Sequence, residues 1–105
     1  MERRPLKIVW SGQAMTDLRE IAAYIRHHSP KAAQKIRQTI KEGTRRLQLF
    51  PLSGRIIPEL PEAHYREIIV RDYRILYEPT EDRVEILAVL HGSRDLPSLF
   101  PRRRA

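Results

Sequence analysis

The feature that most constrains this chain is the run over residues 66–91, REIIVRDYRILYEPTEDRVEILAVLH. It reads as three strands, over 66–70, 73–78 and 83–90, joined by two tight turns. Ile68 and Val70, then Tyr73, Ile75 and Tyr77, then Val84, Ile86, Ala88 and Leu90 alternate with other residues, as half-buried strands do. Arg71-Asp72 and the Pro79-Thr80-Glu81-Asp82 segment carry turn chemistry. Connections this short leave room only for antiparallel neighbours, so the segment is a meander. The last strand is apolar on both faces, Leu87 and Val89 included, which predicts a central position in the sheet.

A three-stranded sheet needs something to cover an apolar face, and the first half of the chain supplies it. Residues 6–10, LKIVW, read as a short strand, and Ser11 after them as a helix cap. Ala14, Leu18, Ile21, Ala22 and Ile25 then recur at helical spacing. His27 and His28 end that helix. Ser29-Pro30 starts a second one, a cap followed by proline at the first helical position. Its stripe is Ala33, Ile36, Ile40, Thr44 and Leu47, and Pro51 is the expected stop. Two helices with so short a join form an antiparallel hairpin. Gly43 inside the second helix suggests a close crossing with the first. Residues 51–65, with Pro51, Gly54, Pro58 and Pro61, read as an irregular connector. Residues 95–100 are read as one last helical turn and 101–105 as a basic tail. The predicted architecture is α+β: an N-terminal strand, then a helix hairpin packed on a mainly antiparallel sheet that ends in a three-stranded meander.

At 105 residues the chain has the length of a single domain. It contains no cysteine, which excludes a disulfide scaffold and thiolate chemistry. No apolar run reaches the roughly 20 residues of a membrane helix, and the N-terminus lacks the apolar core of a secretory signal. Cytoplasm is the expected location. The formal net charge is +7 and unevenly placed. Residues 1–50 hold 11 Lys and Arg against 4 Asp and Glu, whereas residues 51–105 hold nine of each. A basic helical half attracts polyanions, whether nucleic acid, the ribosome or an acidic protein. The alternative is a solvated surface with no ligand.

Several short motifs recur in a fixed order along this framework. They are Asp17-Leu18 with Ile21 and Tyr24-Ile25, Pro30 with Ala33, Leu47 with Phe50-Pro51, Gly54-Arg55, Arg66-Glu67, Tyr73-Arg74-Ile75-Leu76-Tyr77, and Val89-Leu90-His91-Gly92-Ser93-Arg94-Asp95. In order and spacing they resemble the RelE/ParE superfamily of toxins from bacterial type II toxin–antitoxin systems, over nearly the whole chain. The resemblance implies a cognate antitoxin with an acidic, partly disordered tail, bound as a hetero-oligomer. It also implies one of two activities. ParE-like members poison DNA gyrase without hydrolysis; RelE-like members cut messenger RNA on the ribosome. A third alternative is an inactive homologue that only binds antitoxin. The nuclease branch clusters lysines around its active site, whereas this chain has none after Lys41, which favours the ParE side.

The candidate residues follow from the chemistry. If the chain is a nuclease, Glu59 is the base, His91 the acid, and Arg74 with Arg66 the charge stabilisers. RNA cleavage by the 2′-hydroxyl needs those three roles, and histidine exchanges protons near neutrality. An arginine fork matches phosphate or carboxylate bidentately, so the alternative for Arg74 is an ion pair with Glu67 or Glu85. For His91 it is a structural bond near Gly92. Arg55, Arg66, Arg74 and Arg94 together form a candidate target- or phosphate-binding patch, with Tyr77 as an aromatic member. A salt network with Glu67 and Asp95 is the alternative. Trp10, Tyr65 and Tyr73 also have the faces to stack on bases, although Trp10 reads better as core and Tyr24 as packing on the second helix. His27-His28 has no nearby cysteine or carboxylate, so no metal is expected, nor any cofactor. No GxSxG, P-loop or HExxH motif occurs.

Overall fold

A computed structural model describes residues 4–92. Arg94, the turn expected over 95–100 and the basic tail lie outside the described residues. The element order is β1 (Lys7–Trp10), α1 (Gly12–Arg26), α2 (Pro30–Gly43), a 3₁₀ turn (Arg45–Gln48), β2 (Arg55–Ile56), β3 (Arg66–Val70), β4 (Tyr73–Pro79) and β5 (Arg83–His91). The five strands make one mixed sheet ordered β1-β5-β4-β3-β2. β1 runs parallel to β5, and the other pairings are antiparallel. β5, expected at the centre, is an inner strand between β1 and β4, and β4 holds the middle place. Arg71, in the β3–β4 turn, takes a positive φ of 57°.

Local chemistry sets the helix ends. Ser11 accepts from the Ala14 amide and Ser29 from the Ala32 amide, each relieving an early helical N–H. Pro30 fits the first turn, where no intrahelical partner is needed. α2 ends at Gly43, short of Pro51. The Thr44 hydroxyl donates to the Lys41 carbonyl at 2.7 Å, and the chain tightens into the 3₁₀ turn that carries Leu47 inward. Gly43 does permit a close approach, but to the sheet rather than to α1. A Cβ there would lie 2.6 Å from Cγ2 of Val70 on β3.

Two cores lie on opposite faces of the sheet. On one face α1 and α2 press Ala14, Leu18 and Ile40 against Ile68, Ile75, Tyr77, Val84, Ile86 and Val89. Leu6, Ile8 and Trp10 close its margin. Each fully buried Leu or Ile here contributes about 1.5–3 kcal/mol. On the other face Leu76, Ala88 and Leu90 pack under Ile57 and Tyr65 of the connector. The connector is therefore a cover for the second face. It also contributes β2, a two-residue strand too short to show any alternation in the sequence.

One irregularity divides the two cores. Leu76 pairs with Ala88 and Tyr77 with Ile86, so Leu87 is an extra residue in β5. Beyond this bulge the alternation reverses. Val84 and Ile86 face the helices, but Ala88 and Leu90 face the connector. The simple alternation expected from Val84 to Leu90 is thus corrected by one residue of register. α1 satisfies the disturbed backbone: the Ser11 hydroxyl donates to the Leu87 carbonyl at 3.1 Å, and Oδ2 of Asp17 accepts from the Val89 amide at 2.9 Å.

Candidate functional site

Four of the charged residues singled out in the sequence, Arg55, Glu59, Glu67 and Arg74, meet at the connector-covered face in one network. Arg74, in the middle strand, is paired across the sheet with Ile69 and Leu90. Its Nε donates to Oε1 of Glu67 at 2.7 Å. Its two terminal nitrogens donate to both oxygens of Glu59, at 3.0 and 2.9 Å, a bidentate fork. Arg55, on β2, donates from Nε to the other oxygen of Glu67. Two arginines and two carboxylates thus alternate as Arg55, Glu67, Arg74, Glu59, with formal charges that cancel.

Burial ranks these contacts. The Glu67 side chain is 0% exposed and that of Arg74 8%, whereas those of Glu59 and Arg55 are 32% and 64% exposed. A buried carboxylate held by two guanidiniums is the anchor, and the outer members meet solvent. The hydrogen bond from Arg74 holds the Glu59 carboxyl below its ordinary range. The same fork, chiefly through Glu59, raises the Arg74 pKa further above its already high value. A carboxylate so held is a weakened base, and an arginine so committed meets a phosphate only by giving up Glu59.

Arg66 lies on the cross-strand position opposite Tyr77, on the helix-covered face. Its guanidinium donates to the carbonyls of Gly54 at 2.7 Å and Leu52 at 3.3 Å, tying the connector to the sheet edge. Tyr77 is fully buried. Its hydroxyl donates to the Pro51 carbonyl at 2.7 Å and accepts from the Gly54 amide at 2.9 Å. Burial raises its pKa. The ring expected in a target-binding patch therefore has no exposed surface, and it organises the same loop as Arg66.

His91 occupies the other side of the sheet from Arg74. It pairs with Tyr73, and the two rings meet edge to face with centroids 5.6 Å apart. Tyr73 packs on the helix-covered core. The bulge at Leu87 decides this, since it sets which face every later residue of β5 meets. The base, acid and phosphate-stabilising roles assigned to Glu59, His91 and Arg74 are consequently not brought to one place. Glu85, the other partner considered for Arg74, pairs with Arg83 at 2.8 Å instead. Tyr24 is 71% exposed and tilts over His28, 5.9 Å away, rather than packing on α2. Among the described residues no three His, Asp or Glu side chains form a group able to hold a metal ion. No helix of the described residues is long and apolar enough to cross a membrane.

Sequence reading missed one functional side chain of the scaffold, Asp17. The motif Asp17-Leu18 flagged it, yet nothing local shows that its carboxylate caps a strand 72 positions away. It missed too the exposed apolar residues Phe50 and Leu52, ahead of β2, and Ile56 within it, at 63%, 63% and 47% exposure.

Comparison with known proteins bears on the whole fold. The family described as "ParE toxin of type II toxin-antitoxin system, parDE" matches residues 8–96. Toxin RelE2 of Caulobacter vibrioides is 34% identical over 89 residues, covering 84% of this chain and 97% of the relative. A solved chain of the chromosomal ParDE TA system from P. aeruginosa matches with a TM-score of 0.70. It covers 82% of this chain and 95% of that one at 21% identity, a likeness of fold.

Proposed function

The chain belongs to the ParE toxin family of type II toxin–antitoxin systems, within the RelE/ParE superfamily, and on that premise we infer that it arrests growth as a ParE-like poison of DNA gyrase. The observation that carries the reading is the commitment of Arg74. The arginine that a nuclease would need against phosphate is nine-tenths buried, doubly bonded to Glu59 and bonded to Glu67. His91 faces the opposite side of the sheet. That the described residues bring no acid and base together at Arg74 supports action by contact rather than by cleavage.

A cognate antitoxin completes the reading. The apolar group Phe50, Leu52 and Ile56, flanked by Arg55, offers anchors for a segment with apolar and acidic residues. The partner's disordered tail would fold on binding there. The toxin acts in the cytoplasm, where gyrase and the antitoxin both reside.

The second reading, a ribosome-dependent endonuclease, is favoured by the name of the Caulobacter relative. Expression of this chain alone under a tight promoter separates the two. Gyrase-dependent DNA breaks with intact transcripts are the expected result. Codon-positioned transcript cuts without DNA breaks would overturn it and require Glu59 to leave Arg74 on the ribosome. Growth without any defect would favour an inactive homologue that only binds antitoxin.

A further inference from the structure

Most cations of the described residues lie on two surfaces, the sheet and the helix hairpin. On the sheet, Arg55, Arg74 and Arg83 meet carboxylates and Arg66 donates to two carbonyls, whereas Lys7 on β1 and Arg71 in its turn meet no carboxylate among the described residues. On the helix hairpin, Arg19, Arg26 and Arg37 meet no carboxylate among the described residues. These three line one open groove of about 390 Å³ between α1 and α2.

The groove follows from helical spacing. Arg19 and Arg26 are seven residues apart, two turns along one face of α1 or about 10.5 Å. Arg37 reaches the same groove from α2. Ala22 and Ala23 form a floor of small residues, with Thr16 at one end. Glu20 lines the groove as well, paired with none of the three. One carboxylate against three guanidiniums leaves the groove cationic. On α2 Lys41, one turn beyond Arg37 and exposed, adds a further cation beside the groove.

We propose that this groove binds the phosphate backbone of duplex DNA, without regard to sequence. An arginine fork matches phosphate oxygens. A row of cations two helical turns long suits a charged backbone carrying one negative charge per about 1.7 Å of duplex axis. An acidic peptide is the other polyanion, but a stable peptide site needs buried apolar anchors. The groove floor offers only alanine. Among the described residues the large exposed apolar side chains other than Tyr24, which does not line the groove, lie around residues 49–56 and on the sheet. The inference goes beyond gyrase poisoning, since it concerns DNA alone.

The test is fluorescence anisotropy of a labelled duplex of about 20 base pairs with the full chain, from 50 to 200 mM KCl. The variants are R19Q/R26Q/R37Q, the lysine triple R19K/R26K/R37K, and R71Q as an unpaired cation off the groove. Glutamine is a good helix former, and circular dichroism checks that each variant folds. Each lost phosphate contact lowers the salt slope by about 0.9, so the glutamine triple loses about 2.7. Over the fourfold salt range that is about a 40-fold difference in how far affinity falls. The lysine triple and R71Q keep the wild-type slope. An unchanged slope in the folded glutamine triple overturns the proposal. So does displacement of the duplex by poly-glutamate or single-stranded RNA more readily than by unlabelled duplex. The assay contains no gyrase, so failure here leaves the gyrase reading to its own test.

Discussion

Replacing Arg74 by methionine removes the centre of the charge network and keeps most of the side-chain volume. The structure sets the magnitude. Glu67, wholly buried, keeps only Arg55, which is 64% exposed and therefore a weak, solvent-screened partner. Breaking a buried pair on one side costs about 3–5 kcal/mol. The surviving Arg55 contact puts this variant near the low end, about 3 kcal/mol, or a fall in Tm of roughly 12 °C or more. Glu67→Met costs less, because Arg74 retains its fork to Glu59. The double variant R74M/E67M leaves no buried charge. Arg55 and Glu59 turn to water, and the loss falls to about 1 kcal/mol. Urea unfolding of wild type, both single variants and the double closes the cycle. A coupling of about 2 kcal/mol or more is expected. Additivity to within about 0.5 kcal/mol would refute the reasoning, because the pair would then not be the unit that burial makes it. The same proteins test function. A gyrase poison with R74M/E67M still arrests growth once folded, whereas a nuclease using Arg74 does not.

Four further outcomes follow from the geometry. Asp17→Ala leaves the Val89 amide without its acceptor and costs about 1.5–3 kcal/mol in urea unfolding, while Asp17→Asn, which keeps an acceptor oxygen, costs less. Gly54→Ala destabilises by about 1–3 kcal/mol, since its Cβ would lie 2.6 Å from the Glu67 carbonyl oxygen and 2.5 Å from the Tyr77 hydroxyl; an unchanged Tm would show that this loop shifts freely. Tyr77→Phe removes the bonds to Pro51 and Gly54, so amide exchange at Gly54 accelerates while the ring-packed core stays protected. Glu59 has a folded pKa below its ordinary value of 4.5, so its contribution is complete above that pH and is lost as pH falls through the lowered value. Wild type should therefore lead Glu59→Gln in urea midpoint at neutral pH, with the lead shrinking below pH 4.5.

The sequence by itself determined the elements that local chemistry controls. The Ser11 and Ser29 caps, Pro30 and the stripes through Ala14, Leu18 and Ala33, Ile40 are written in neighbouring residues, because helix ends and faces depend on spacing within a few turns. The meander was equally legible, since turns as short as Arg71-Asp72 permit only antiparallel pairing. The Glu67 partner of Arg74 was foreseen among its alternatives, because it stands on the adjoining strand.

What only the tertiary structure decided depended on register and on contacts far apart in the chain. The extra residue at Leu87 carries no local signal, since every residue around it is apolar, yet it moves His91 to the face opposite Arg74. β2 exists only because β3 offers an edge. Glu59 reaches Arg74 because Ile57 and Tyr65 pull the connector onto the second face. Asp17 finds the Val89 amide because α1 crosses where the strand ladder is broken. Hydrophobic spacing specifies which side of an element is buried, but the pairing of faces is a property of the packed whole. That pairing separates a committed Arg74 from one free to hold a phosphate.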